Sequence, residues 1–210
     1  MLGYCIFLRF DWDNLHKITN YICGKTKIIG ARKCTIKEIK NIKIVNNFLN
    51  KYHFQNSCKG QIKCYGLYYN NELVQLMTFG SPRYNKNYEW ELLRLCTNHR
   101  YKVIGGSKKL FTRFVNETYP KSIISYCDLA KFNGDVYPTL GFTLLRISEP
   151  SLHWSKSNKQ ITDNLLRQLG ADKLIGTNYG KGTNNMQIMI DNNWFAVPDC
   201  GQATYIWKEK

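Results

Sequence analysis

The sequence predicts one α/β domain, a mixed central sheet with helices on both faces, continued by a C-terminal helix and β-hairpin extension. Three observations carry that reading. Two β-rich runs, residues 65–69 and 73–79, flank the pair Asn70-Asn71, whose tolerance of left-handed backbone suits a tight hairpin turn. Further on, Val103-Ile104-Gly105-Gly106-Ser107 breaks a strand pattern, Leu110, Phe111, Phe114 and Val115 recur at helical spacing, Pro120 stops the helix, and a strand over 122–127 follows at once. A strand, glycine turn, helix, strand order joins parallel strands by a right-handed crossover, so residues 88–96 and 122–127 are expected as parallel neighbours. Finally, 210 residues with 43% hydrophobic and 14% aromatic content are enough for one well-cored domain and too few for two large ones.

The remaining elements follow in order. Residues 1–30 form an N-terminal segment, 31–150 the α/β core and 151–210 an extension packed on it. Ile36, Ile39, Ile42, Val45 and Leu49 recur at spacings of three and four, which predicts an amphipathic helix over 31–50 with a lysine-rich polar face. After the strand over 122–127 come a short helix over 133–140, ended by Gly141, and a strand over 142–147. The extension reads as a helix over 161–169, a Gly/Asn-rich connection, a short helix over 186–190 and a hairpin over 194–207 turning at Asp199-Cys200-Gly201.

Thirty Lys and Arg against fifteen Asp and Glu give a net charge of +15. Such an imbalance favours a polyanionic partner, nucleic acid first and an anionic cofactor second. Lys, Asn and Ile supply 62 of the 210 residues, as AT-rich codon usage would, so part of the charge has a genomic origin. No apolar run approaches the roughly 18 residues of a membrane helix, and Arg9, Asp11 and Asp13 follow the short patch Cys5-Ile6-Phe7-Leu8 where a signal peptide would need a cleavage site. A cytoplasmic protein is expected, with its eight cysteines reduced. No Cys-x-x-Cys occurs, His53, Cys58 and Cys64 lack metal-knuckle spacing, and His16, His53, His99 and His153 are scattered, so neither a metal nor a nuclease site is predicted. Gly24-Lys25-Thr26 ends like a nucleotide-hydrolase loop, but the first glycine of that pattern would fall on Thr19.

The chemistry concentrates at residues 103–107. Adjacent glycines between a strand and a helix let backbone N–H groups approach an anion while the helix dipole adds its positive end; the plainer reading is a tight turn. A dinucleotide loop would need Gly-x-Gly-x-x-Gly, which is not satisfied.

Arg100-Tyr101-Lys102-Val103-Ile104-Gly105, followed by Gly106-Ser107, resembles the acyl-CoA pyrophosphate loop of the GNAT acetyltransferases, Arg/Gln-x-x-Gly-x-Gly/Ala, with Val103 in place of the first glycine. Some thirty residues on, Tyr137-Pro138-Thr139-Leu140-Gly141-Phe142 is similar to the second GNAT signature, and the likeness spans roughly 62–147 in the right element order. Within that superfamily, Glu91-Leu92-Leu93-Arg94, the helix opening after Gly106, Ile124-Ser125-Tyr126-Cys127-Asp128 and the Tyr-x-x-x-Gly-Phe ending look similar to the Mom-like DNA-modification proteins of phages and to domains attached to viral homing endonucleases.

The resemblance implies a GNAT-like domain using acetyl-CoA or a related acyl-CoA, with cofactor contacts from Cys96, Arg100, Val103, Ile104, Gly105, Gly106 and Ser107. It implies a viral or phage origin as well. Tyr137 beside a thioester sulfur would protonate the departing thiolate, and is otherwise a core tyrosine. A bulge in the GNAT strand would turn Glu91 and Arg94, three apart, toward one cleft as amine base and anion holder; otherwise they are a strand-face ion pair. Asp128, at the carboxyl end of a central parallel strand, is a site residue or a turn and cap residue. Nucleic acid, DNA foremost, would meet Arg83, Tyr84 and Lys86 in the 81–86 loop and Lys156, Lys159, Arg167, Lys173 and Lys181 of the extension, with Tyr84 or Trp154 stacking on a base; solvated lysines are the alternative. Two functions stand: an N-acyltransferase acting on a protein amine or a DNA base, and a non-catalytic nucleic-acid-binding module.

Overall fold

A computed structural model describes residues 26–157, 159–180 and 182–209. The N-terminal segment up to residue 25, with Gly24, Lys25 and His16, lies outside the described residues, as does Lys181. The described chain divides into two compact units, one made of Asp128–Phe132 and Ile147–Gln202, the other of the chain up to Cys127 with Asn133–Arg146 and the residues from Ala203.

The larger unit, here the sheet unit, is built on seven strands. They are β2 (Thr35–Glu38), β3 (Gln61–Tyr69), β4 (Glu72–Gly80), β5 (Trp90–Thr97), β7 (Ser122–Asp128), β12 (Gln202–Lys208) and β8 (Thr143–Ile147), in that spatial order. Strands β2 to β5 pair antiparallel, and β5 pairs parallel with β7, as the crossover argument requires. A separate parallel pair joins β1 (Lys27–Gly30) to β6 (Tyr101–Ile104). Asn70 and Asn71 both take positive φ, 48° and 62°, between β3 and β4, the conformation that a two-residue hairpin turn of this twist needs.

Helices cover both faces of the sheet. On one face, Val45, Phe48 and Leu49 of α1 (Ile42–Tyr52) are buried against Cys64, Leu76 and Cys96. On the other, α2 (Gly106–Thr118) buries Leu110, Phe111 and Phe114; Phe114 stacks on Phe79 at 3.5 Å between ring centres and meets Tyr65 and Trp90 edge-on. Neighbouring residues Cys64 and Tyr65 thus serve opposite faces, the period-two alternation of a strand. Each large apolar side chain buried this way contributes roughly 1.5 to 3 kcal/mol.

The smaller unit, here the insert unit, carries a three-stranded antiparallel sheet, β10 (Lys159–Thr162), β9 (Leu152–Lys156) and β11 (Phe195–Pro198), with helices α4 (Asp163–Leu169), α5 (Ala171–Ile175) and α6 (Asn185–Asp191). Its core gathers Trp154, Ile161, Leu166, Ala171, Ile188, Met189 and Trp194.

Several expectations are corrected. The helix expected over 31–50 begins only at Ile42, capped by Asn41 accepting the Lys43 N–H; Thr35–Glu38 is a strand instead, because Ile36 finds a cross-strand partner in Leu67. Ile161 and Thr162 belong to β10, and α4 starts behind the Thr162 hydroxyl, which accepts from the Leu165 N–H. The hairpin expected over 194–207 does not form. The turn at 199–201 is present, with Asp199 accepting from the Gly201 N–H, but β11 pairs with β9 while β12 lies between β7 and β8. Burial decides this: Ala203, Thr204 and Tyr205 are buried, whereas Phe195, Ala196 and Pro198 are exposed. Cys34, Cys58, Cys64, Cys96 and Cys127 form no disulfide, but Cys200 is disulfide-bonded, since spacing along the chain does not record which thiols meet in space.

Candidate functional site

The glycine turn is shaped by two different demands. Gly105 caps α2 in the left-handed region, φ 75°, where a side chain would be strained. Gly106 is needed for space: a Cβ there would lie 2.0 Å from Gln75 Oε1 and 2.8 Å from Val103 Cγ1. The cap offers no side-chain acceptor and the first turn holds no acid, so the N–H groups of Gly106, Ser107 and Lys108 face outward beside the positive end of the helix dipole. Val103 is a regular strand residue, paired with Ile29 and free of positive φ, so the valine replaces a glycine without backbone strain. Buried Gln75 ties the turn to the sheet, donating to Ser107 Oγ at 3.3 Å and to Thr97 Oγ1 at 3.0 Å, at the end of β5.

Two expected cofactor residues stand elsewhere. The Arg100 guanidinium pairs with Glu72, which also accepts from Tyr101 Oη at 2.6 Å and Asn98 Nδ2 at 3.1 Å. Cys96 is buried in the core beneath α1. Lys109, at the same helix start, donates to the carbonyls of Ala31 and Cys34 at 2.9 and 2.6 Å.

Strands β5 and β7 part company beyond this turn. Their pairing covers Trp90–Ile123, Glu91–Ile124 and Leu92–Ser125 and stops, although β5 runs on to Thr97 and β7 to Asp128. At the same level β5 bulges: Thr78 opposes Arg94 and Phe79 opposes Leu92, leaving Leu93 as the extra residue. Since Thr78 and Gly80 share a face and pair with Arg94 and Glu91, the bulge brings these two residues, three apart, onto one face. Arg94 donates to the Leu93 carbonyl at 2.9 Å and the Asn56 carbonyl at 3.1 Å, and burial lowers its pKa below that of a free guanidinium.

Glu91 pairs with Arg83 rather than Arg94. It is 1% exposed, accepting the Arg83 N–H at 2.7 Å on one oxygen and the Arg83 Nε and Nη2 at 2.9 and 2.5 Å on the other. Burial opposes the Arg83 charge, but the hydrogen bonds and charge of Glu91 outweigh it and raise the guanidinium's pKa. Lys86 also turns back, onto the Pro82 carbonyl, and Tyr84, 73% exposed, meets the Tyr126 ring edge-on at 5.5 Å and lies under the Arg83 guanidinium.

Tyr137 sits on α3 (Val136–Leu140), against the parted strands. Its hydroxyl lies 2.9 Å from Ser125 Oγ, which donates its single proton to the Leu92 carbonyl at 2.8 Å, so the phenol is the donor to serine. The ring stacks on Tyr205 at 4.2 Å and 12°. Burial raises the phenol's pKa; the charge of Arg94 acts the other way and loses. The structure therefore brings together Tyr137, Arg94, Glu91 and, through Glu91, Arg83. Asp128 belongs to the other compact unit, where it acts as a turn residue: its carboxylate accepts the Ala130 N–H at 3.1 Å and its carbonyl those of Lys131 and Phe132. Sequence reasoning missed Ser125 and Gln75. Their one signal is a polar residue inside an apolar strand, Ile-Ile-Ser-Tyr and Leu-Val-Gln-Leu.

No protein-family model matches this chain, and no curated protein matches it. Among solved structures it resembles an acetyltransferase from Bacillus subtilis in complex with CoA, at 12% identity over 85% of this chain and 100% of that one, with a TM-score of 0.45. An N-acetyltransferase from Staphylococcus aureus Mu50 shares 12% over 84% and 99%, TM-score 0.49. A GNAT family acetyltransferase from Elizabethkingia anophelis with acetyl-CoA bound shares 12% over 84% and 99%, TM-score 0.42.

Proposed function

We propose that the chain is a GNAT-type N-acyltransferase that takes its acyl group from an acyl-CoA. The observation that carries this reading is the pair β5 and β7, which stops at Leu92–Ser125 beside the Tyr137 phenol, with the bare N-terminus of α2 held at the end of the same β5 by Gln75. The residues fit that cofactor. Outward N–H groups of Gly106, Ser107 and Lys108 suit a pyrophosphate, and the unpaired lengths of β5 and β7 offer main-chain groups to an extended, amide-bearing arm. When bound, the thioester supplies an acyl group open to attack by an amine.

The chain's own residues divide the remaining tasks. Tyr137 holds a proton at Oη, and its raised pKa keeps the phenol protonated at neutral pH, ready to donate to a leaving thiolate. Ser125 fixes the direction of that hydroxyl, and Arg94 keeps a positive charge near it. Glu91 has both oxygens occupied by Arg83, so it anchors the 81–86 loop and takes no proton from the amine. An amine carried by a polyanion, a DNA base in the Mom-like manner, is the acceptor that best suits the charge of the unit holding this site. Calorimetry with CoA tests the reading: the protein should bind saturably and Gly106→Ala should bind about tenfold more weakly, a loss of about 1.4 kcal/mol. A folded protein that ignores millimolar CoA overturns it in favour of a non-catalytic nucleic-acid-binding module.

A further inference from the structure

The insert unit contains a cavity of about 650 Å³, within the range of small-molecule sites, between the β9–β10 hairpin and the helical side of the unit. Lys156 and Lys159 stand at its hairpin edge and are direct cross-strand partners, an arrangement in which like charges repel. Among the described residues, no carboxylate lines the cavity. Four acids of the unit are engaged elsewhere: Asp163 with Arg167, Asp172 with Thr177 and Tyr179, Asp191 with Gln187, Asp199 with Ser151, Gly201 and His153. Lys156 donates to the Asn192 carbonyl at 2.7 Å, which uses one of its three protons and brings the ammonium to the cavity. Among the described residues of the lining, then, no anion offsets the repulsion of the two amines.

The rest of the lining has a different chemistry. Trp194, Ile161, Leu174 and Ile175 make an apolar wall, and the amides of Gln160 and Asn192 interrupt it. Asn192 spends its N–H donors on Tyr179 Oη and the Ile188 carbonyl, leaving Oδ1 as an acceptor. Cations at one edge, an aromatic and aliphatic wall and two side-chain amides match a planar base joined to a phosphate; side-chain amides are the groups that read a purine edge. We propose that this cavity binds a nucleoside phosphate, with the phosphate between Lys156 and Lys159 and the base against Trp194 within reach of Gln160 and Asn192. This site is independent of the acyltransferase site and does not rest on it.

Free nucleotides and a nucleic-acid strand present the same chemistry, and the test separates them. The whole protein is titrated at low salt with AMP, CMP, a short oligodeoxyadenylate and inorganic phosphate. AMP should bind, and the Lys156→Ala, Lys159→Ala double variant should weaken it about tenfold or more, the weight of a lost charge-assisted hydrogen bond. The Lys40→Ala, Lys43→Ala double variant, the same charge change in the sheet unit, should leave it unaltered. AMP bound as tightly as the oligonucleotide identifies a free nucleotide as the ligand; a much tighter oligonucleotide identifies a strand. Because Trp194 is a core residue, base contact is read from Gln160→Ala and from AMP against CMP, both of which keep the fold. Phosphate binding as well as AMP, no saturable binding at millimolar ligand, or binding indifferent to the lysine pair each overturns the proposal; the last would put the nucleotide at the glycine turn of the sheet unit.

Discussion

Six basic and six acidic residues balance over Asp128–Phe132 and Ile147–Gln202, and the net charge of +15 belongs to the rest of the chain. In the insert unit Asp163 pairs with Arg167, while Asp199 turns to the backbone and accepts from two N–H groups and from His153. Its lysines at 156 and 159 are left opposing each other. In the sheet unit Glu91 pairs with Arg83, Glu72 with Arg100, Glu117 with Arg113 and Glu38 with Lys63. Net charge therefore measures how strongly a unit draws a polyanion from a distance, and pairing decides where one is held. The unit that looks neutral contains the more defined anion site.

Three experiments press on that contrast. The largest effect is expected at Tyr137. If the sheet unit is the catalytic one, Tyr137→Phe should lower turnover by roughly 10² to 10⁴ with little change in apparent affinity. In the parent protein the raised phenol pKa should hold activity until the pH passes the ordinary tyrosine value near 10. Unaltered turnover would remove the acid role and leave Tyr137 as packing for Tyr205.

Next in size, Arg83→Ala strands a carboxylate that is 1% exposed, and should cost about 3 kcal/mol in denaturant unfolding. A loss within experimental scatter would mean that the arginine is a surface cation like the lysines around it, and the contrast between paired and unpaired charge would fail there.

The smallest effect belongs to the insert unit. Burial pushes the Asp199 carboxyl up, but the N–H groups of Ser151 and Gly201 and the ring of His153 outweigh it and set its pKa below the usual aspartate value. A depressed folded pKa stabilises above the unfolded value, near 3.9, and that contribution is lost as the pH falls through the folded one. Asp199→Asn should cost about 1 to 2 kcal/mol at neutral pH and flatten the acid limb of unfolding followed by tryptophan fluorescence. Identical acid limbs in the two proteins would show that Asp199 is not a source of acid sensitivity.

Much of the sheet unit is legible in the sequence because its signals are local. Asn70-Asn71 dictates a turn, Gly105-Gly106 marks a helix start, and the interval from β5 to β7 holds one helix and so gives parallel strands. The joint orientation of Glu91 and Arg94 is not among these local signals: it is anticipated only through the bulge that the GNAT resemblance implies, beside the alternative of a strand-face ion pair. What the local code omits is choice among partners. Nothing in Trp-Glu-Leu-Leu-Arg says that Glu91 will bind Arg83, since that depends on how the 81–86 loop folds back. Likewise β12 carries a hairpin signal at its start, yet its buried Ala203 and Tyr205 find a better surface between β7 and β8. The strand β9 goes unread because Leu152–Lys156 follows a proline and mixes polar with apolar residues, and its lysine pair becomes visible only once its register with β10 is known.

The place of β12 has a consequence for how the protein is made. This strand fills the gap between β7 and β8 and carries the ring that stacks on Tyr137, yet it leaves the ribosome only after the whole of Ile147–Gln202. Until then the nascent chain holds two strands of its sheet with no neighbour between them, exposed edges of the kind that invite misassembly. Competence at Tyr137 thus waits for β12: a chain stalled or clipped between Ile147 and Ala203 has the glycine turn and the bulge in its sequence but lacks the strand that completes the floor under its phenol.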